Sequence, residues 1–340
     1  MTRSGSLPLY ILQRVLLVIP MIWVILTLVF VVLRVAPGDP VSAALGGRLS
    51  PDALEQRREA LGFNEPLIQQ YWDYLTAVAR LDFGTTFSDN QPVLQVVRDN
   101  GGATLSLTVA AFLFALVVGI PLGLLAGRFR DTIPDVVIRM FGILTYAAPV
   151  FFVGFLFQAY AARPLGLPTS GASTPITAFT VEPVTHILLV DAFLSGDGAA
   201  IEDVLKHLVL PGLTLGLLVC GVFIRLVRVN ILQTMQSDYV EAAEARGIAR
   251  GKVTRRHAFR NALVPVITVI GLQFALLLGG AVLTESTFNW PGLGNKLVDY
   301  INDRDYGAVQ GIITVFAVAV VLISLLVDVV NALIDPRVRY

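Results

Sequence analysis

Six stretches of this chain run without a charged side chain for long enough to cross a bilayer. They are Val15 to Leu33, Ala103 to Leu125, Met140 to Ala162, Leu208 to Ile224, Ala262 to Thr284 and Tyr306 to Val327. A helix needs about 20 apolar residues to traverse the hydrocarbon core. The fourth run is short, but Arg225 and Arg228 just beyond it can extend their stems along the helix and keep their charge among the headgroups. The pattern predicts an all-α membrane protein of six transmembrane helices.

Between the first two runs lies a polar segment, residues 36–102, long enough to form a small subdomain outside the membrane. It opens on the turn signal APGDP, then PDALEQRREAL from Pro51 to Leu61 reads as an amphipathic helix. A second helical stretch, PLIQQYWDYLTAVARL, sets Leu67, Tyr71, Tyr74, Leu75 and Val78 on one stripe, a pattern of local packing. The remaining limits are a first segment at 1–35 and a five-helix core at 103–335. Within the core the spans fall at 103–127, 138–162, 207–230, 262–284 and 306–334, separated by loops at 163–206, 231–261 and 285–305 and followed by a tail at 335–340. The apolar piece Ile187 to Leu194 is too short to span and carries Asp191, so it reads as a surface helix. The first run exceeds the apolar stretch of a signal peptide and lacks a small-residue cleavage site, so it is expected to remain as a span.

Composition agrees. Of 340 residues, 55% are hydrophobic and 15% charged, with mean hydropathy +0.72, values outside the range of a domain with a charged surface. The formal net charge is zero, which gives no basis for nucleic-acid binding. A single cysteine, Cys220, excludes an intramolecular disulfide and a cysteine-based metal site, and its apolar setting suits a small buried hydrophobe.

Charge placement sets the orientation. RFRDTIPDVVIR, between the second and third runs, holds Arg128, Arg130 and Arg139, and Arg225 to Arg260 holds eight of the 25 Lys and Arg. The other short loops are poor in basic residues. Basic loops remain in the cytoplasm, so both termini and these two loops are expected there.

Inside the second basic loop stands DYVEAAEARG. Asp238 can cap a helix with Glu241 at its third position, and Gly247 can end it in the left-handed conformation. The short helix between them puts Tyr239, Ala242, Ala243 and Arg246 on one face, small enough for close approach of another protein and edged by an aromatic anchor and a cationic donor.

EAA with glycine at its seventh position, followed by a proline-bearing apolar run, resembles the cytoplasmic loop of binding-protein-dependent ABC importer permeases. Pro265 falls eighteen residues beyond Gly247, a longer spacing similar to the dipeptide, oligopeptide and nickel branch. PGDP at 37–40, LGFNEPLIQQYWDYL at 61–75, DFGTTF at 82–87, HLVLPGLTLG at 207–216, NWPGLG at 289–294, RDYGAVQG at 304–311 and DPRVRY at 335–340 resemble the same branch. The long loop after the first span resembles the first of its two permease subunits. The resemblance implies a bacterial inner-membrane protein in a complex with a second permease (a heterodimer), two cytoplasmic ATPases that bind ATP and magnesium, and an extracytoplasmic substrate-binding protein. It implies that Tyr239, Glu241, Ala242, Ala243, Arg246 and Gly247 form a coupling helix seated on the ATPase. Peptides are the expected cargo; nickel or another small solute is the alternative within the family.

Chemistry is not expected in the chain itself. Val253 follows Gly251 and Lys252 where a phosphate-binding loop needs Ser or Thr, and Arg246 stands at its first glycine position. His186, His207 and His257 have no metal-ligand spacing, so no cofactor or metal is expected. Asp328, near the end of the last span, needs a partner, and Arg225 or Arg228 is the expected one. Gln158 and Gln273 read as bonds between neighbouring helices, with the lining of a polar substrate path as the alternative. The substrate path is not assigned. A secondary transporter, the alternative of another class, predicts inverted repeats and ionisable residues at mid-membrane, neither of which the sequence displays.

Overall fold

The structure, a computed structural model, describes residues 7–35, 41–42, 50–60, 62–253 and 259–334. Among them there is no strand, only an isolated bridge between Thr85 and Pro92. The long helices are α1 (Leu7–Val35), α4 (Val93–Arg128), α9 (Gly198–Thr234), α11 (Val264–Thr287) and α13 (Tyr306–Ile334). Five described helices are thus long and apolar enough to cross a membrane.

The third expected span is not one helix. It is split into α5 (Ile133–Ala147) and α6, which starts at Val150 and continues through a π turn at Phe157–Ala161 to Leu165, and the chain bends by 107° between them. Pro149 causes the break, because a proline lacks an N–H and disfavours helical geometry in the residue before it. Ala148 is accordingly extended, with φ −75° and ψ 132°. The count reaches six spans only if this elbow serves as one.

Two further limits differ from the sequence reading. The helix expected from 103 begins ten residues earlier at Val93, taking in part of the loop before it. The short fourth run is the middle of a 37-residue helix, Gly198–Thr234, started by the Asp197 side chain accepting from Ala199 N. Glu202, Asp203 and Lys206 on one side and Arg225 and Arg228 on the other bound the uncharged run well inside the helix.

The smaller elements lie at the ends of the long ones. They are α2 (Pro51–Ala60), α3 (Leu67–Ala79), α7 (Pro175–Thr180), α8 (Leu188–Ser195), α10 (Asp238–Ala245) and α12 (Leu293–Asn302). The surface helix expected near Ile187 is α8, whose buried Asp191 accepts from the backbone N and the hydroxyl of Thr185, both at 2.7 Å.

The core is built on α9. Its Leu215, Val219, Phe223, Ile224, Val227 and Ile231 pack against Leu107, Ala111 and Ala115 of α4 and Leu277 and Ala281 of α11. Cys220 is buried in the same cluster. Close approach comes from glycines four residues apart on α4. A Cβ on Gly119, Gly123 or Gly127 would stand 2.9 Å from Phe223, 2.7 Å from Val227 and 2.7 Å from Ile231 respectively. Small residues at this spacing let helix backbones meet, and tight packing must hold helices together where lipid offers no hydrophobic drive. At the periphery α13 packs along α1, and α3 sits on α1.

Candidate coupling helix and its supports

α10 hangs from the end of α9 by the turn Met235 to Ser237. The cap is Ser237, not Asp238: its carbonyl accepts from Val240 N at 2.9 Å and Glu241 N at 3.3 Å, which puts Asp238 in the first turn. The Ser237 hydroxyl meanwhile bonds back to the Thr234 carbonyl, so the turn leaving α9 decides where α10 begins. Gly247 follows with φ +77°, the left-handed position expected of it, and Ile248 N closes on Ala243 O at 3.3 Å.

Burial divides α10 into two faces and corrects the expected one. Val240 and Ala243 point inward and pack with Val253, Met235 and Ile248. Ala243 is therefore a packing residue, while Tyr239, Glu241, Ala242, Arg246 and Gly247 are exposed. Alanine suits either face, so periodicity among Tyr239, Ala242, Ala243 and Arg246 could not separate them; the apolar Val240 was the signal for the inner side.

The expected ion pair is also different. Arg228 binds Asp135, the Nε donating to Oδ1 at 2.7 Å and Nη2 to Oδ2 at 2.8 Å. Asp135 is fully buried, takes a third bond from Asp131 N at 3.0 Å, and has Arg139 3.4 Å away. Asp328 pairs instead with Arg14 at 3.1 Å, tying α13 to α1. The reason is adjacency: α9 packs on α4 and α5, whereas α13 packs on α1. Arg225 pairs with neither; it lines a cleft between α5 and α9 with Arg139, Ile143 and Tyr146. The sequence signal for Asp135 is its four-residue spacing from Arg139, in a loop whose arginines dominate its charge.

At the opposite end, the segment NWPGLG folds over Glu285. That carboxylate is fully buried, and its Oε2 accepts from Asn295 N at 3.0 Å. Gly292 and Gly294 let the loop lie on it, since a Cβ there would come within 2.3 Å and 2.8 Å of the carboxyl group. Trp290 donates from Nε1 to Ala103 O and Leu293 N donates to Thr104 Oγ1, each at 2.9 Å, so the loop is also fastened to α4. Nearby, Asp305 joins two other quoted segments. Its Oδ2 accepts from Phe87 N at 2.6 Å, Ser88 N at 2.8 Å and Ser88 Oγ at 2.9 Å, while Oδ1 caps α13 at Ala308 N.

The two glutamines part. Gln158 donates to Thr169 O and Thr287 O, both at 2.9 Å, and so bonds between elements as expected. Gln273 is buried within α11. His186 stands beside Arg98 and Asp99, and His207 bonds back to Asp203 O in its own helix; His257 lies outside the described residues.

A bundle of long apolar helices, capped at one end by a short exposed helix and at the other by loops fastened through buried carboxylates, has the architecture of a multi-span membrane protein. The profile of the binding-protein-dependent transport system inner membrane component matches residues 119–340, and that of its N-terminal region matches residues 8–108. The chain belongs to this family. It is 37% identical to the dipeptide transport system permease protein DppB of Escherichia coli over 97% of this chain and 98% of that one. The corresponding protein of Alkalihalophilus pseudofirmus is 35% identical over 97% and 99%, and the glutathione transport system permease protein GsiC of Pectobacterium atrosepticum is 34% identical over the same shares. Among solved structures, an inward-facing MetNI methionine ABC transporter matches with a TM-score of 0.54 at 14% identity, over 71% of this chain and 97% of that one, a likeness of fold. The chain is a multi-pass inner-membrane permease subunit of the ABC transporter class.

Proposed function

We propose that this chain is one of two permease subunits in an ATP-driven importer of peptides, and that α10 is the element through which ATPase subunits act on it. The observation that carries the mechanical part is the exposed face of α10. Tyr239, Glu241, Ala242 and Arg246 are exposed, and the helix is held to the end of the central α9 through Val240 and Ala243. A small residue flanked by an aromatic ring and a guanidinium suits a groove on a partner protein.

The peptide cargo is supported by near full-length likeness to two dipeptide permeases and by a glutathione permease, glutathione itself being a short peptide. In this reading the α10 end faces the cytoplasm with the basic loops, ATP and magnesium belong to the partner ATPases, and the opposite end receives a substrate-binding protein. Nickel or another small solute remains the alternative cargo. The inner-membrane family assignment takes the place of the secondary-transporter reading.

The test is to isolate the assembled complex with its binding protein, identify the bound ligand by mass spectrometry, and measure its uptake into ATP-loaded vesicles. A short peptide with ATP-dependent uptake supports the proposal; a metal chelate moves the cargo to the alternative, and uptake without ATP overturns the mechanism.

A further inference from the structure

Helix α3 has three faces where a helix packed on a water-soluble unit would have two. On one side Gln70, Tyr71, Tyr74 and Val78 turn to the protein. Tyr71 shares a hydrogen bond with Thr27 at 2.7 Å, Gln70 accepts from Arg34 Nη1 at 2.7 Å, and Tyr74 bonds Thr314 of α13 at 2.7 Å. Phe30 fits between the Tyr71 and Tyr74 rings, with centroids 5.2 Å and 5.8 Å away.

At about 100° per residue, Gln69, Asp73, Thr76 and Arg80 form a second, polar face, and Ile68, Trp72, Leu75 and Ala79 a third, apolar one. Ile68 is 65% and Trp72 59% exposed.

The contacts also give the direction of α3. Thr27 and Arg34 are seven residues apart on α1, a rise of about 10 Å. Their partners Tyr71 and Gln70 are neighbours in sequence. The backbones of α3 and α1 approach each other over only a short stretch, unlike those of α13 and α1, so α3 crosses α1 rather than running along it. Its depth follows from the same pairs: Arg34 is the first charge after the uncharged run that begins at Val15, and Tyr71 reaches inward from that boundary to Thr27. Val31, one turn beyond Thr27 on α1, is exposed, as are Leu28 and Val32, so the apolar face of α3 continues the uncovered face of the first span.

We propose that α3 is an interfacial helix, lying in the headgroup layer with Ile68, Trp72, Leu75 and Ala79 against phospholipid and Gln69, Asp73 and Arg80 toward water. The occupant is lipid, because the free face joins a membrane span at the level where its charges begin, and a tryptophan stands in that face. Such helices bury their apolar side at the boundary between headgroup and acyl chain, where tryptophan is enriched. The polar segment between α1 and α4 is thereby held to the bilayer surface as well as to α1 and α13.

The test uses the chain with the subunits that co-purify with it, in vesicles of phosphatidylethanolamine and phosphatidylglycerol. In a Cys220→Ala background, nitroxide labels are placed at Ile68→Cys, Trp72→Cys, Gln69→Cys and Asp73→Cys, all exposed positions whose replacement leaves the packed face intact. Collision with oxygen, which concentrates in lipid, is compared with collision with a water-soluble nickel chelate. The expected result is an oxygen-to-nickel ratio several-fold higher at 68 and 72 than at 69 and 73. Equal ratios at all four positions would place α3 in water, and exclusion of both reagents from 68 and 72 would place a protein partner there; either overturns the proposal.

Discussion

Arg228 of α9 holds Asp135 of α5 through two hydrogen bonds, at 2.7 and 2.8 Å. The pair closes the bundle at the α10 end, about two turns before α9 finishes. A buried ion pair is costly to form and costlier to halve, since removing one partner strands the other's charge, at about 3–5 kcal/mol. Asp135→Ala is therefore expected to lower the unfolding temperature and the yield of folded complex. The double variant Asp135→Leu with Arg228→Met, which leaves no stranded charge, is expected to recover most of that loss; a thermal-shift comparison of the purified complexes decides it.

Gly123 meets Val227 where α4 and α9 touch. Gly123→Val would need the two backbones to separate, an overpacking of about 1–3 kcal/mol. Gly279 on α11 has nothing within 4 Å of an added Cβ. Gly279→Ala is expected to be neutral while Gly123→Val reduces stability, measured by the same thermal shift.

The two faces of α10 are separable by mutation. Ala242→Trp adds bulk to the exposed side and is expected to leave folding intact while lowering ATP-dependent uptake at least tenfold. Val240→Asp places a charge inside the packing against Val253 and is expected to lower the folded yield itself, because an unpaired charge there has no partner. Normal uptake by the Ala242→Trp complex at normal expression would remove α10 from the coupling role.

Glu285 secures the loop from Asn289 to Asn295 by a bond that an amide oxygen can also accept. Glu285→Gln is expected to keep the loop closed. Glu285→Leu leaves Asn295 N without its acceptor, at about 1–3 kcal/mol, and should raise hydrogen exchange across residues 290–296; unchanged exchange would show that the Trp290 and Leu293 bonds to α4 suffice.

The spans were legible because hydrocarbon demands long apolar runs, and the glycine that ends α10 because few residues adopt its backbone angle. Partners were not. Asp328 and Arg228 carry complementary charges on one side of the sequence map, but only helix adjacency, α13 with α1 and α9 with α5, decides who pairs. The elbow at Pro149 was visible in AAPVFF, yet a window that scores only apolarity runs through it. The G-x-x-x-G-x-x-x-G series from Gly119 to Gly127 stands in the sequence as well, but the spacing names no partner helix. Seven quoted segments resembled one family, and the fold explains why three of them belong together: DFGTTF, NWPGLG and RDYGAVQG build the loops around Asp305 and Glu285.

The glycines of α4 add no side chain of their own to the contact with α9, so Phe223, Val227 and Ile231 sit directly on the α4 backbone. At 37 residues α9 is about 55 Å long, and α10 is fastened at its tip. It is a lever. A tilt of about 5° about one end displaces the other by roughly 5 Å, close to one helical turn, which is enough to change which residues face each other across the bundle without breaking a single bond inside it.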